Sequence, residues 1–229
     1  MLNPQPIRVL LVDDHDLVRH ALWLLLDSQP EIEVVGEAES GREALLAADR
    51  EEPDIVLMDA VMPGLNGIEA TRQIRKYLSR TRVIVLSGVA EEEQVVSALR
   101  AGATGYLVKT VDLSEVLLAL RAVHAGNHYF SSGLAEQFDL TAVFEKARQA
   151  EEDNTEKPLT PREREVLQLI AEGHGNASIG EHLFVSVKTV EAHKAHVMKK
   201  LKTKNHAELV RHALRLGLVR DNPSIDRNG

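Results

Sequence analysis

The sequence of 229 residues contains no cysteine and no apolar run long enough to cross a membrane. Without cysteine, disulfide bonds, thiolate zinc sites and thiol nucleophiles are excluded. The longest apolar run, ALWLLL at 21–26, is far shorter than the roughly 20 residues that a bilayer-spanning helix needs. The first stretch, MLNPQPIRVLLVDDHD, ends in acids and does not resemble a signal peptide. These absences predict a cytoplasmic protein without a membrane partner.

The net charge of −8 is unevenly distributed along the chain. Residues 158–220 carry eleven Lys and Arg against six Asp and Glu, a net charge of +5, whereas residues 1–157 have a net charge of −12. An acidic front half followed by a basic segment indicates that only the back of the chain binds nucleic acid.

The front of the chain alternates between short apolar runs and amphipathic stretches. The runs are continuously apolar, which is typical of parallel strands that are covered on both faces. They are IRVLLV (7–12), IEVVGE (32–37), DIVLMD (54–59), RVIVLS (82–87) and TGYLVK (104–109). Helical stretches follow near 15–28, 40–50, 66–77, 91–101 and 112–125. Three of them are predicted to begin at an N-cap that is followed three residues later by Glu, namely Ser40, Asn66 and Asp112. The pattern predicts a doubly wound α/β domain over 1–125, with a five-stranded parallel sheet.

The rest of the chain has a different pattern. Residues 126–157 are interpreted as a linker that contains one helix from about 134 to 150 and ends in an exposed EEDNTEKP. A helix then restarts with Thr160 as N-cap and Glu163 closing a capping box. Further helical patterns near 175–183, 187–201 and 205–216 predict a small all-α domain over 158–220, followed by a tail at 221–229. Its helix-turn-helix is expected at about 178–198, with the small Gly180 allowing close packing.

Five polar residues stand at the carboxyl ends of four predicted strands, where parallel α/β sheets have their functional crevice. They are Asp13, Asp14, Asp59, Ser87 and Lys109. Each alone has an ordinary structural explanation, as a helix cap, a turn former or a solvated surface group. Together they have the chemistry of a phosphoryl-transfer site. The carboxylates would bind Mg²⁺, Asp59 would be the nucleophile that accepts a phosphoryl group, and Lys109 would neutralise charge on that group.

The motifs LLVDDH, DIVLMDAVMPGLNG, VIVLSG and AGATGYLVK resemble the flavodoxin-like receiver domain of two-component response regulators. The resemblance implies that Asp59 is the phosphoacceptor and that a sensor histidine kinase is the phosphodonor. It implies a Mg²⁺ site formed by Asp13, Asp14, Asp59 and the backbone carbonyl of Val61. It also implies that Ser87, Tyr106 and Lys109 respond to the phosphoryl group, with Ser87 and Tyr106 drawn inward.

Two neighbours of the acidic pair match no ligand position of that family. Asp16 is interpreted as stabilising the first turn of a helix, and His15 as an exposed residue.

The segment LTPREREVLQL…IGEHLFVSVKTVEAH resembles the LuxR-type helix-turn-helix domain, which identifies the chain as a member of the NarL/FixJ class of response regulators. The resemblance implies that the helix at 187–201 enters the major groove of promoter DNA. It further implies a homodimer when phosphorylated or on DNA, and RNA polymerase as a partner. A helical wheel places Val190, Val197 and Leu201 in the core and His193 half-buried. The expected DNA contacts are Lys188, Thr189, Glu191, Ala192, Ala195, His196 and Lys199.

Three functions compete at this point. The leading hypothesis is a transcription regulator controlled by phosphorylation of Asp59, which is not a turnover enzyme. One alternative is a Mg²⁺-dependent enzyme with an aspartyl-phosphate intermediate, and the other is a DNA-binding regulator that works without phosphorylation. An ordinary solvated amphipathic helix is the alternative to DNA binding at 187–201.

Overall fold

The computed structural model of the chain describes residues 5–152 and 159–219. The chain divides into two compact units, one up to Glu152 and one from residue 153 onward. In the described part of the chain, none of the helices has the length and apolar character that crossing a membrane requires.

The first unit is built on one parallel sheet with the strand order β2-β1-β3-β4-β5-β6. Every residue of β3 is buried, because helices cover both faces of the sheet. The prediction of a doubly wound parallel sheet is confirmed, but the predicted number of strands, five, was wrong. A sixth strand of two residues pairs with β5. The strands are β1 Ile7–Val12, β2 Ile32–Ala38, β3 Ile55–Asp59, β4 Arg82–Ser87, β5 Gly105–Val108 and β6 Tyr129–Phe130.

Five helices follow the first five strands. They are α1 Asp16–Asp27, α2 Gly41–Glu51, α3 Gly67–Tyr77, α4 Glu92–Arg100 and α5 Leu113–His124. Side chains alternate across each strand, so two apolar clusters form on opposite faces of the sheet, one under α1 and α5 and the other under α2, α3 and α4. The predicted N-caps Ser40, Asn66 and Asp112 each accept a hydrogen bond from a backbone N–H three residues on.

The region interpreted as a linker contains two helices rather than one, α6 Ser132–Gln137 and α7 Leu140–Glu152. The chain is extended at Phe138, and the Asp139 carboxylate accepts a hydrogen bond from Thr141 N at 2.9 Å, which starts the new helix. Val143 is buried in the core of the first unit. Residues 126–152 therefore belong to the first unit and are not a linker. The rest of EEDNTEKP, from residue 153, lies outside the described residues.

The second unit is all-helical in its described residues, as predicted. It comprises α8 Pro161–Ala171, α9 Asn176–Leu183, α10 Val187–Lys200 and α11 His206–Arg215. The capping box of Thr160 and Glu163 is formed, and Lys200 Nζ lies 2.6 Å from Glu163 Oε2. A Cβ on Gly180 would lie 2.9 Å from the carbonyl of Val185, so only glycine allows this turn. The predicted tail 221–229 lies outside the described residues.

Candidate functional site

Three carboxylates and one imidazole meet at the carboxyl ends of β1 and β3. One ligand atom from each of Asp13, Asp14, His15 and Asp59 lies within 4.8 Å of the others. Asp13 and Asp59 are each only 2% exposed, whereas Asp14 is partly exposed. Carboxylates buried this close together repel one another unless cations neutralise them. The acids that the sequence placed at separate strand ends are therefore one cluster.

Lys109 supplies part of the required positive charge. Its Nζ lies 2.6 Å from Asp13 Oδ2 and 3.0 Å from Asp59 Oδ2. The position is fixed by a backbone hydrogen bond of 2.7 Å from Lys109 N to the carbonyl of Ser87. One ammonium group facing three carboxylates leaves the pocket negative.

The donor set of this pocket fits Mg²⁺. Mg²⁺ prefers carboxylate and carbonyl oxygens and retains several of its waters. The partly exposed Asp14 gives solvent and ligand access to the otherwise buried pair. Val61 N donates a hydrogen bond of 3.4 Å to Asp59 Oδ1, so the backbone of Val61 lies beside the proposed phosphoacceptor.

His15 differs from its sequence interpretation. Its side chain is about half exposed, as expected, but its Nδ1 lies 3.0 Å from Asp13 Oδ1 and 3.0 Å from Asp14 Oδ1. It is also the N-cap of α1, which begins at Asp16 and carries that acid in its first turn, as predicted. The imidazole belongs to the pocket, and its position directly after two acids was the signal that sequence reasoning set aside.

Ser87 and Tyr106 both connect the pocket to the segment between β4 and α4. Ser87 Oγ donates to Gln94 Oε1 at 3.2 Å, and Tyr106 Oη donates to the carbonyl of Val89 at 3.1 Å. Burial raises the pKa of Tyr106 to about 12, outweighing a hydrogen bond with Ser87. Tyr106 is only 1% exposed, so its ring is directed inward in this structure. Sequence reasoning missed Gln94.

The helix-turn-helix of α9 and α10 presents the predicted DNA-contact face to solvent. Val190 and Val197 are fully buried, and His193 is half-buried, as the helical wheel predicted. Leu201, which was also predicted to lie in the core, is only partly buried and packs against it. Thr189 is partly buried, and its hydroxyl lies 2.8 Å from that of the N-cap Ser186. The other predicted contacts are exposed: Lys188, Glu191, Ala192, Ala195, His196 and Lys199.

The turn between these helices carries an apolar residue that sequence reasoning did not single out. Phe184 is 89% exposed and has a left-handed φ of 54°. That conformation is uncommon for a bulky residue. In α11, Leu209 and Ala213 are buried in the core.

Two family models match the chain, one in each unit. The response regulator receiver domain matches residues 9–121, and the luxR family of bacterial regulatory proteins matches residues 157–213. The transcriptional regulatory protein LiaR of Bacillus subtilis is 41% identical over 93% of this chain and 99% of its own length. The nitrate/nitrite response regulator protein NarL of Escherichia coli K12 is 38% identical over 91% of this chain and 95% of its own length.

A solved structure shares the fold as well. The crystal structure of a LuxR-family two-component response regulator from Aurantimonas matches with a TM-score of 0.58 and 35% identity, over 61% of this chain and 99% of that one.

Proposed function

The chain belongs to the response regulators that join a receiver domain to a LuxR-type DNA-binding domain, and we propose that phosphorylation of Asp59 controls its binding to promoter DNA. The observation that carries this proposal is the convergence of Asp13, Asp14 and Asp59 with Lys109 in one buried pocket. We further propose that it acts as a phosphoryl acceptor and not as a turnover enzyme.

Asp59 is the proposed nucleophile. Its carboxylate oxygen attacks the phosphorus of a phosphohistidine on a sensor histidine kinase, so that a P–O bond forms while the P–N bond breaks. Mg²⁺ held by Asp13, Asp14, Asp59 and the carbonyl of Val61 would neutralise charge on the phosphoryl oxygens. Lys109, already 3.0 Å from Asp59 Oδ2, is close enough to pair with a phosphoryl oxygen.

The signal leaves the pocket through Ser87. A phosphoryl oxygen on Asp59 is a stronger acceptor than the Gln94 amide, so we propose that the Ser87 hydroxyl exchanges one partner for the other. Gln94 lies in α4, and Tyr106 holds the preceding loop through Val89. Loss of the Ser87–Gln94 bond would therefore release α4 from the pocket and change the surface that it presents.

The DNA-binding proposal assigns a role to each predicted residue on α10. Lys188 and Lys199 would contact phosphates or guanine, Thr189 would contact a phosphate, and Glu191 would accept from a cytosine amino group. Ala192 and Ala195 leave room for thymine methyl groups, and His196 lies at the edge of the same exposed face. A homodimer on DNA would place two such helices on two half-sites, and RNA polymerase is the proposed partner at the promoter.

Incubation of the protein with Mg²⁺ and acetyl phosphate separates this function from its alternatives. The proposal expects a stable mass gain of one phosphoryl group and tighter DNA binding. Continuous release of phosphate with multiple turnovers would favour an aspartyl-phosphate enzyme. Absence of labelling, with undiminished DNA binding, would favour a regulator that works without phosphorylation.

A further inference from the structure

A second cavity lies in the first unit, beside the residues that lead into β5. Its volume is about 540 Å³, which is within the range of small-molecule sites. One wall comes from the end of α3, the end of α4 and the residues 102–104 that lead into β5. The facing wall is formed by α7, including Phe144 and Arg148. Asp59 ends β3, so this cavity is not part of the phosphoacceptor pocket.

The cavity is strongly cationic. Arg75, Arg100 and Arg148 all line it, and none of the three forms an ion pair with a carboxylate in the described part of the chain. Glu145 is the one acid among the lining residues. Burial and the nearby charge of Arg82 lower the pKa of Arg75. Burial and the charge of Arg72 likewise lower the pKa of Arg100.

The hydrogen bonds of Arg75 and Arg100 go to backbone carbonyls. Arg75 Nη1 donates to the carbonyls of Ser79 and Thr81, and Arg100 Nη2 donates to the carbonyl of Lys146. Arg75 Nε is buried without an acceptor among the described residues. Because this atom is shielded from solvent, Arg75 contributes mainly to the positive potential. Arg100 and Arg148 are exposed, so their guanidinium groups would meet a ligand first.

Aromatic rings stand beside these charges. Phe144 is 36% exposed and packs edge-on against His128 and Phe130, with ring centroids 5.3 and 5.4 Å apart. Phe144 and His128 both line the cavity. A flat ring entering from solvent could pack against Phe144, as aromatic pairs do at centroid distances of about 4.5–7 Å.

We propose that this cavity binds a small organic phosphate that carries a planar ring, the chemistry of a nucleotide. Guanidinium groups match phosphate oxygens with paired hydrogen bonds, and Phe144 provides a surface for the ring. The ligand would bridge α7 to the ends of α3 and α4 and hold α7 in its present position. It would give the protein an input that is separate from phosphorylation of Asp59.

Isothermal titration of the full-length chain with ADP, and separately with inorganic phosphate, tests the proposal. Chelation of divalent metals with EDTA keeps metal-dependent binding at the Asp59 pocket out of the measurement. The expected result is saturable binding of one ADP per chain, tighter than that of phosphate. Arg148→Glu should weaken ADP binding about tenfold or more, as loss of a charge-assisted hydrogen bond does.

Arg80→Glu is the matched control, because Arg80 is exposed, does not line the cavity and changes the net charge equally. Phe144→Leu should weaken binding of ADP but not of phosphate. Asp59 labelling by acetyl phosphate should be unchanged in Arg148→Glu, which shows that the variant is folded and keeps the two functions apart. Absence of ADP binding at millimolar concentration, equal affinities for ADP and phosphate, or equal losses in Arg148→Glu and Arg80→Glu would each overturn the proposal.

Discussion

The ammonium group of Lys109, the residue that follows β5, lies 3.0 Å from the carboxylate of Asp59 at the end of β3. The same Nζ is 2.6 Å from Asp13. Lys109 thus places a positive charge beside two buried acids, next to the carboxylate on which the proposed phosphoryl group would stand.

Replacing Lys109 by Ala should destabilise the first unit, because two buried carboxylates lose their cation. The loss should be about 2–4 kcal/mol of unfolding free energy in EDTA, smaller than for a fully buried pair since Lys109 is partly exposed. Mg²⁺ should recover part of it. Urea unfolding followed by the fluorescence of the single Trp23 measures both values. Lys76→Ala, an exposed control, should change neither the unfolding free energy in EDTA nor its response to Mg²⁺. A loss of stability in Lys109→Ala that Mg²⁺ does not reduce would argue against the metal site.

Ser87→Ala should separate phosphorylation from its effect on DNA binding. Asp59 keeps its carboxylate and Lys109, so acetyl phosphate should still label the variant. The hydroxyl that links the pocket to Gln94 is lost, so labelling should no longer raise DNA affinity. Fluorescence anisotropy with promoter DNA, before and after labelling, measures this. Ser79→Ala, at an exposed position, is the control, and its DNA affinity should rise on labelling as in the unaltered protein. A similar rise in Ser87→Ala would contradict a signal that passes through the Ser87 hydroxyl.

Glu163→Gln should remove a pH-dependent part of the stability of the second unit. Burial raises the pKa of Glu163, but hydrogen bonds from Lys200 and Thr160 outweigh it, so the pKa is lowered from 4.5. The stabilisation is therefore complete above pH 4.5 and lost as the pH falls through the lower folded-state value.

Glutamine keeps the capping box but not the charge, so Glu163→Gln should cost about 1 kcal/mol at neutral pH. The difference in stability between Glu163→Gln and the unaltered protein should vanish in acid, where Glu163 is protonated. Hydrogen-exchange protection of the α10 amides, compared at neutral and at acidic pH, measures this difference. A difference that persists in acid would show that the charge of Glu163 is not its source.

Lys188→Ala should weaken DNA binding uniformly across sequences and reduce the salt dependence by about one unit of slope, because one phosphate contact is lost. Lys204→Ala, an exposed lysine of the same unit outside α10, is the matched control. Binding isotherms over a range of salt concentrations give the slope. An unchanged slope in Lys188→Ala would contradict a phosphate contact at this residue.

Much of the fold follows from local sequence chemistry. Continuous apolar runs identified the first five strands, and the capping residues Ser40, Asn66 and Asp112 identified where three helices begin. Strand β6 was missed because two residues are too few to show a period. The break at Phe138 was missed because its cause is the Asp139 side chain capping a new helix within an unbroken helical pattern.

The residues that form the pocket could be predicted from the sequence, but several of the contacts that these residues make could not. Parallel strands bring their carboxyl ends to one edge, so Asp13, Asp59 and Lys109 had to converge. The contact of His15 with two acids depends on its side-chain conformation at the start of α1, and the Ser87–Gln94 bond depends on where α4 packs. Both are set by tertiary packing and have no periodic signature.

The most direct test of the central claim is the intact mass of the protein and of Asp59→Asn after incubation with Mg²⁺ and acetyl phosphate. We expect the unaltered chain to gain one phosphoryl group and Asp59→Asn to gain none, with the same circular dichroism spectrum for both. Equal labelling of the two proteins would contradict the assignment of Asp59 as the phosphoacceptor.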